Sequence, residues 1–193
     1  MINFQSEYGE DIFLHQNYED YFVKPGFYVD CGCGSAHFKS NTAWLRSLGW
    51  TGLAIDGLPD WQAEWGTSFV HAVLHTEPTV RFQRDECLYR SRIGTGEEVA
   101  TRRLDEILFS NRVKQIGLLS IDVEGQETEV FRSMGLFPQH LWPPFIIGEY
   151  ATDGIGEDFS LRDLLLEKGY RVIHQTTANL IYHDPSRSFD QRR

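Results

Sequence analysis

Residues 27–42 read FYVDCGCGSAHFKSNT. A short apolar strand ending in Asp30 runs into a glycine loop, and the Ser-Asn-Thr triplet at its far end opens a helix. Strand, glycine loop and helix in that order usually hold a nucleotide at the carboxyl end of the strand. The dinucleotide fingerprint asks for G-x-G-x-x-G/A, with a small third residue so that helix and strand pack closely beside a pyrophosphate. Here Gly32 and Gly34 fill the first two positions and the bulky His37 the third. Asp30, just before the loop, would also repel a phosphate. The same carboxylate suits a ligand that carries a cationic amino group.

Outward from this stretch, short apolar runs alternate with amphipathic ones. FYVD, GLAID, FVHAVL, GLLSID and PFIIGEY read as strands buried on both faces, the pattern of a parallel sheet covered by helices on both sides. SNTAWLRSLGW and QETEVFRSMGLF read as helices. Ser40 is placed to cap the first and Gly49 to stop it. Val130, Phe131 and Met134 share one face of the second. GYRVIHQTTANLIYHD is two β-rich runs about a polar turn at residues 177–179, a hairpin. The order is therefore βαβα followed by an antiparallel closing pair, in one domain over residues 1–193. Ligands of open parallel sheets bind at the carboxyl ends of the strands. That rule gathers the strand-end acids Asp30, Asp56, Asp122 and Glu149 into one cleft, though each alone could equally be a cap or a solvated turn residue.

Composition narrows the partners. The chain has 193 residues, a formal net charge of −10 and 41% hydrophobic residues. An acidic balance argues against nucleic acid and against an anionic membrane surface. No run approaches the ~18 apolar residues of a membrane helix. MINFQSEYGED has neither a basic nor an apolar leader region, and the three cysteines, Cys31, Cys33 and Cys87, fit a reducing, cytoplasmic compartment. Cys31 and Cys33 lack further ligands at zinc spacing and read as small fillers of a tight loop. The last residues, SRSFDQRR, read as a frayed tail.

S-adenosylmethionine meets the loop's conditions, with an ammonium, a sulfonium and no phosphate. It needs glycine for close backbone approach and an acid for its ribose hydroxyls, and Asp56 ends the next strand at about the ~20-residue spacing that ribose recognition uses. At this point the chain resembles the FkbM family of S-adenosylmethionine-dependent methyltransferases, from about Gln5 to His183. The residues that carry the resemblance are QSEYGEDIFL, YVDCGCGSAHFKSNTAWLRSLGWTGLAID, VHAVL, TRRLDEIL and, most specific, IGLLSIDVEGQETEVFRSM with its Asp-Val-Glu-Gly-x-Glu run. The resemblance implies an α/β class I methyltransferase fold, a Rossmann-like three-layer sandwich on a mostly parallel seven-stranded sheet with an antiparallel C-terminal hairpin. It implies a cofactor site of Asp30, Gly32, Gly34, Asp56, His71 and Ala72. Asn41 joins them or, with Ser40, only caps the helix. Where the family commonly has a Gly-Ala-Asn-Asp-Gly loop and Glu-Pro, this chain has Gly32-Cys33-Gly34-Ser35-Ala36 and Asp56-Gly57.

Family members methylate oxygen, often on a sugar or natural product. A carboxylate is then needed to take the hydroxyl proton. Asp122 is the first choice for base or orienting group and Glu124 the second. Glu127 falls in the first turn of the following helix, where it could simply complement the helix dipole. The chain needs no metal in this reading. Asp122, Glu149 and a neighbouring acid would nevertheless suit Mg²⁺, which would lower the hydroxyl's pKa. Trp44, Trp50, Trp61 and Trp65 read as core or as a sugar-stacking platform, and Arg90 and Arg92 as surface charge or an anion clamp. Little length remains for a substrate lid, and the edge of the hairpin would permit a homodimer. The rivals are an NAD(P)-dependent oxidoreductase and a non-catalytic methyltransferase-like binding domain.

Overall fold

The computed structural model describes residues 2–187. The strands are β1 (Phe27–Cys31), β2 (Thr51–Asp56), β3 (Phe69–His71), β4 (Val73–Leu74), β5 (Thr79–Gln83), β6 (Arg92–Ile93), β7 (Glu97–Arg102), β8 (Leu118–Ile121), β9 (Phe145–Glu149), β10 (Ala151–Thr152), β11 (Gly156–Glu157), β12 (Arg171–Gln175) and β13 (Asn179–His183). The helices are α1 (Glu10–Asn17), α2 (Glu19–Phe22), α3 (Ala43–Ser47), α4 (Gln62–Trp65), α5 (Leu104–Ser110), α6 (Glu127–Arg132) and α7 (Ser160–Glu167).

Seven strands form one sheet in the order β3-β2-β1-β8-β9-β13-β12. β13 runs antiparallel to both of its neighbours, and the pairings from β3 through β9 are parallel. This is the arrangement expected from the sequence. Alternate residues of each central strand face opposite layers. Val29, Leu53, Leu119 and Ile146 pack with α5, α6 and α7 through residues such as Ile107, Phe131 and Leu165. Tyr28, Ala54, Leu118 and Ile147 pack on the other face with Leu14, Phe22, Trp44 and Trp65 of α1 to α4. Apolar side chains on both faces leave the sheet no solvated side, which is why these strands read as continuous apolar runs. Val130, Phe131 and Met134 are buried as their spacing requires. Trp44, Trp50, Trp61 and Trp65 are buried too, and of the four only Trp61 also lines the cavity described below.

Helix α3 is shorter than its sequence pattern and its N-cap is Thr42 rather than Ser40, although Ser40 still meets its first N–H, and it stops at Gly49 as expected. Ser40 Oγ accepts the Ala43 N–H at 3.0 Å. At the other end Gly49 N donates to the Arg46 carbonyl and Trp50 N to that of Leu45, both at 3.1 Å, a Schellman closure.

Three expectations change. FVHAVL is not one strand. It breaks at Ala72, with β3 in the main sheet and β4 in a second sheet of order β4-β7-β5-β6. That second sheet occupies much of residues 73–102, so the chain does carry an addition beyond the core fold. Arg92 lies on β6 and Arg90 in the turn just before it, and both reach Asp153, the first by its side chain to the backbone carbonyl and the second as an ion pair. Of the C-terminal stretch read as a frayed tail, Ser186 N and Arg187 Nε are both bonded to the Asp184 carboxylate, at 3.0 and 2.6 Å. The rest of it lies outside the described residues. Among the described residues no helix is long and apolar enough to cross a membrane.

Candidate active site

The carboxyl ends of β1, β2, β8 and β9 open into a cavity of about 650 Å³. Gly32 leaves β1 with φ +77°, and its N–H is bonded to the Ile55 carbonyl at 2.8 Å. A Cβ there would lie 1.7 Å from the backbone oxygen of Asp122, so the crossing of these two chain segments demands glycine. Gly34, also at positive φ, donates its N–H to Asp56 Oδ2 at 3.1 Å, and Leu58 N donates to Oδ1 at 2.8 Å. Two backbone donors thus fix the Asp56 carboxylate at the mouth of β2. Burial nevertheless raises its pKa to about 6. The neighbouring Gly57, where the family commonly has proline, is packed against the second sheet. A Cβ on it would meet Phe82 Cζ at 2.9 Å.

Gly32, Gly34, Asn41, Asp56 and Ala72 all line this cavity, and so do Asp122, Glu124 and Glu149. Asp30 and His71 do not line it. Asp30 turns into the protein, where its carboxylate accepts from Thr42 Oγ1 at 2.6 Å; burial raises its pKa to about 6, against the hydrogen bonds from Thr42 and Ser120. It therefore ties the loop's far end to β1. Asn41 Nδ2 donates to Ser120 Oγ on β8 at 3.3 Å, which holds the same segment to the neighbouring strand. His71 is exposed, with Nε2 3.0 Å from the Gly57 carbonyl oxygen.

The turn after β8 is built by its own acids. Glu124 takes φ +60° and Gly125 φ +98°. Glu127 Oε1 accepts the N–H groups of Val123 and Gly125, each at 3.0 Å. Its first role is therefore to close the turn, beyond any effect on the helix dipole. Oxygens of Asp122, Glu124 and Glu149 lie within 4.8 Å of one another. Burial drives the Glu124 pKa to about 7, with the charge of Glu127 adding to it. Burial and the mutual repulsion of the cluster also push Asp122 and Glu149 well above the carboxylate range. Two nearby cations are already engaged, Lys39 with Glu7 and Arg90 with Asp153.

Sequence reasoning missed the wall that the second sheet contributes. Phe82, Leu88, Tyr89 and Ile93 of the second sheet and its turns line the cavity, beside Trp61 and Phe38. The one available signal was the alternation of Val80 and Phe82 with polar neighbours in TVRFQ, a half-buried strand pattern. Asn179, at the start of β13, was also missed.

Residues 11–172 match the model of the methyltransferase FkbM domain family. Among solved structures the chain is similar to the fibrillarin pre-rRNA processing protein of Methanococcus jannaschii, with 11% identity, a TM-score of 0.46, and coverage of 83% of this chain and 67% of that one. No curated protein sequence matches it.

Proposed function

The chain belongs to the FkbM methyltransferase family, and from that premise we propose that it is an S-adenosylmethionine-dependent O-methyltransferase whose acceptor is a hydroxyl of a sugar, a glycan or a small natural product. The observation that carries the reading is a single cavity lined both by the glycine cradle with Asp56 and by Asp122 with Glu124.

The cradle suits the cofactor. Gly32 and Gly34 bring bare backbone to the cavity, and Asp56, held by two N–H donors, keeps lone pairs free for the ribose hydroxyls. Ala72 leaves room beside it for a flat ring. Asp30 and His71 act from behind, as positioning groups. When bound, S-adenosylmethionine supplies a methyl group made electrophilic by its positive sulfur.

The chain's own part is to orient an acceptor and take its proton. An alcohol is a poor nucleophile at neutral pH, and a carboxylate within ~2.6–3.2 Å accepts its proton as the new bond forms. In this reading Asp122 is that base, with Glu124 beside it. Burial brings Glu124, at about 7, into the range where a general base works at neutral pH. Phe82 and Tyr89 add apolar surface to the cavity beside Gly57 and Gly34.

Calorimetric titration with S-adenosylmethionine, S-adenosylhomocysteine, NADH and NADPH tests the cofactor assignment. The two adenosyl compounds are expected to bind at micromolar concentration and Asp56→Ala to abolish that binding. Binding of a nicotinamide cofactor would refute the reading. Cofactor binding without turnover across a panel of hydroxylated acceptors would favour a non-catalytic binding domain.

A further inference from the structure

We infer that Asp122, Glu124 and Glu149, together with the side-chain oxygen of Asn179, form a binding site for one hard divalent cation. The inference goes beyond methyl transfer and does not depend on it.

The three carboxylates offer oxygens within 4.8 Å of one another. Oxygens on opposite sides of a single ion stand ~4.1 Å apart around Mg²⁺ and ~4.6–5.2 Å apart around Ca²⁺, twice the respective metal–oxygen distances. The cluster therefore spans one ion without rebuilding the backbone. The donor set is all oxygen and includes no cysteine or histidine, which selects the hard cations over zinc.

Acids alone do not make a site. The independent observation is Asn179, which is 4% exposed and whose Oδ1 has no hydrogen-bond partner. Its Nδ2 donates to Glu10 Oε1 at 2.8 Å, and a carboxylate there demands the N–H side of the amide. The amide orientation is thus fixed, and the oxygen is the atom left over. Asn179 lies directly across from Glu149 in the β13–β9 register, so the two side chains leave the same face of the sheet, and both line the cavity. A buried amide oxygen without a donor is destabilising and calls for an explanation. Glu124 Oε2 is a second buried acceptor with no partner. Both orphans are acceptors beside acids that repel one another, and one cation would answer all three facts at once.

The remaining polar groups of the neighbourhood are otherwise occupied. Glu127 Oε1 is held by two backbone N–H groups, Thr152 Oγ1 donates to Glu149 Oε2 at 2.8 Å, and the Glu127 and Glu149 carboxyls are hydrogen-bonded to each other, a proton that a bound cation would displace. In the proposed reaction the cation would bind and acidify the acceptor's hydroxyl, and a second carboxylate oxygen of Asp122 would still be available for the proton.

Protein stripped with EDTA is titrated with Mg²⁺, Ca²⁺ and Mn²⁺ by calorimetry, with Mn²⁺ binding also followed by electron paramagnetic resonance. S-adenosylmethionine binding is measured on the same samples. One saturable site is expected, weakened by at least about tenfold in both Glu149→Gln and Asn179→Ala. Both variants are checked for an intact fold by circular dichroism. No saturable binding in protein that takes up S-adenosylmethionine would overturn the cation site and leave the methyltransferase reading standing. Binding of equal strength in wild type and both folded variants would overturn it as well, since the ion would then sit elsewhere on an acidic surface. Cation binding lost in the variants, without any cofactor binding, would support the site while removing the proposed activity.

Discussion

The two glycines of the loop make unequal demands, and substituting each by alanine measures the difference. A Cβ on Gly32 would stand 1.7 Å from the Asp122 carbonyl oxygen, 2.7 Å from its carbon and 3.2 Å from Val123 Cγ1. The two closest atoms are backbone, so no rotamer relieves the clash. β1 and β8 would have to part by more than an ångström to restore ordinary ~3.5 Å contacts, and the Asp122 N–H bond to the Cys31 carbonyl, 2.9 Å long, lies at that crossing. Forcing a side chain into a packed interior costs typically ~1–3 kcal/mol, and a left-handed backbone adds ~1–2 kcal/mol for any L residue. Gly32→Ala is therefore expected to cost roughly 2–5 kcal/mol, a large share of the ~5–15 kcal/mol that holds a domain together. Gly34→Ala meets only the Tyr89 ring, Cε1 at 3.0 Å and Cδ1 at 3.3 Å, and that half-buried ring can tilt. It pays the backbone term of ~1–2 kcal/mol and little more. Urea denaturation of both variants reads the contrast. With a slope of ~2 kcal/mol per molar urea, a difference of ~2 kcal/mol separates the midpoints by about 1 M. Coincident midpoints would mean that Asp122 does not cross over Gly32, and the link between the cofactor loop and the proposed base would go with it.

Burial raises Asp30 to a pKa of about 6, from 3.8 when exposed, so the folded state holds the proton more tightly than the unfolded one. The stability this gives is complete below pH ~4 and is lost as pH rises through 6, by roughly 3 kcal/mol on the linkage rule. Urea midpoints between pH 4 and 7.5 should fall more steeply in wild type than in Asp30→Asn, and parallel profiles would contradict the assignment. Trp44 is fully buried and its Nε1 donates to the Asn41 carbonyl at 3.0 Å. Trp44→Ala should cost about 3–5 kcal/mol by thermal or urea unfolding, whereas Leu136→Ala, at a largely exposed position, should change stability by less than about 0.5 kcal/mol.

The main sheet was legible because its strands have no solvated face. FYVD, GLAID, GLLSID and PFIIGEY carry unbroken apolar runs, and the rule that ligands gather at strand ends then brought Asp56, Asp122 and Glu149 to one cavity without any knowledge of their contacts. The rule places backbones, however, and a strand's pleat decides where each side chain goes. Asp30 ends β1 as expected, yet its carboxylate turns to Thr42 and away from the cavity. His71 ends β3 and stays at the surface. The second sheet was hidden for a different reason. Its strands are two to six residues long with most positions partly or fully exposed, so they lack the apolar run that marks a central strand. The break at Ala72 separates two strands that the sequence writes as one continuous FVHAVL. Asn179 reads as a turn residue in sequence, and only the pairing of β13 with β9 sets it opposite Glu149.

The departure from the dinucleotide fingerprint now has a physical account. The third small residue of that fingerprint is needed where a helix begins at once and packs against the strand it follows. Here α3 begins only at Ala43, well beyond Gly34, and the intervening segment is held by Ser40, Thr42 and Asn41 through side-chain bonds to the backbone, to Asp30 and to Ser120. His37 accordingly lies exposed on this segment and obstructs nothing. The same delay removes the helix N-terminus from the loop, and with it the aligned N–H groups and positive dipole end that bind a pyrophosphate. What the loop presents in their place is Gly34 bonded to a carboxylate, with three more carboxylates across the cavity. A loop built this way lacks the usual anion site and suits the cationic, phosphate-free cofactor proposed above. The feature that weakens a dinucleotide assignment is therefore the one that favours S-adenosylmethionine.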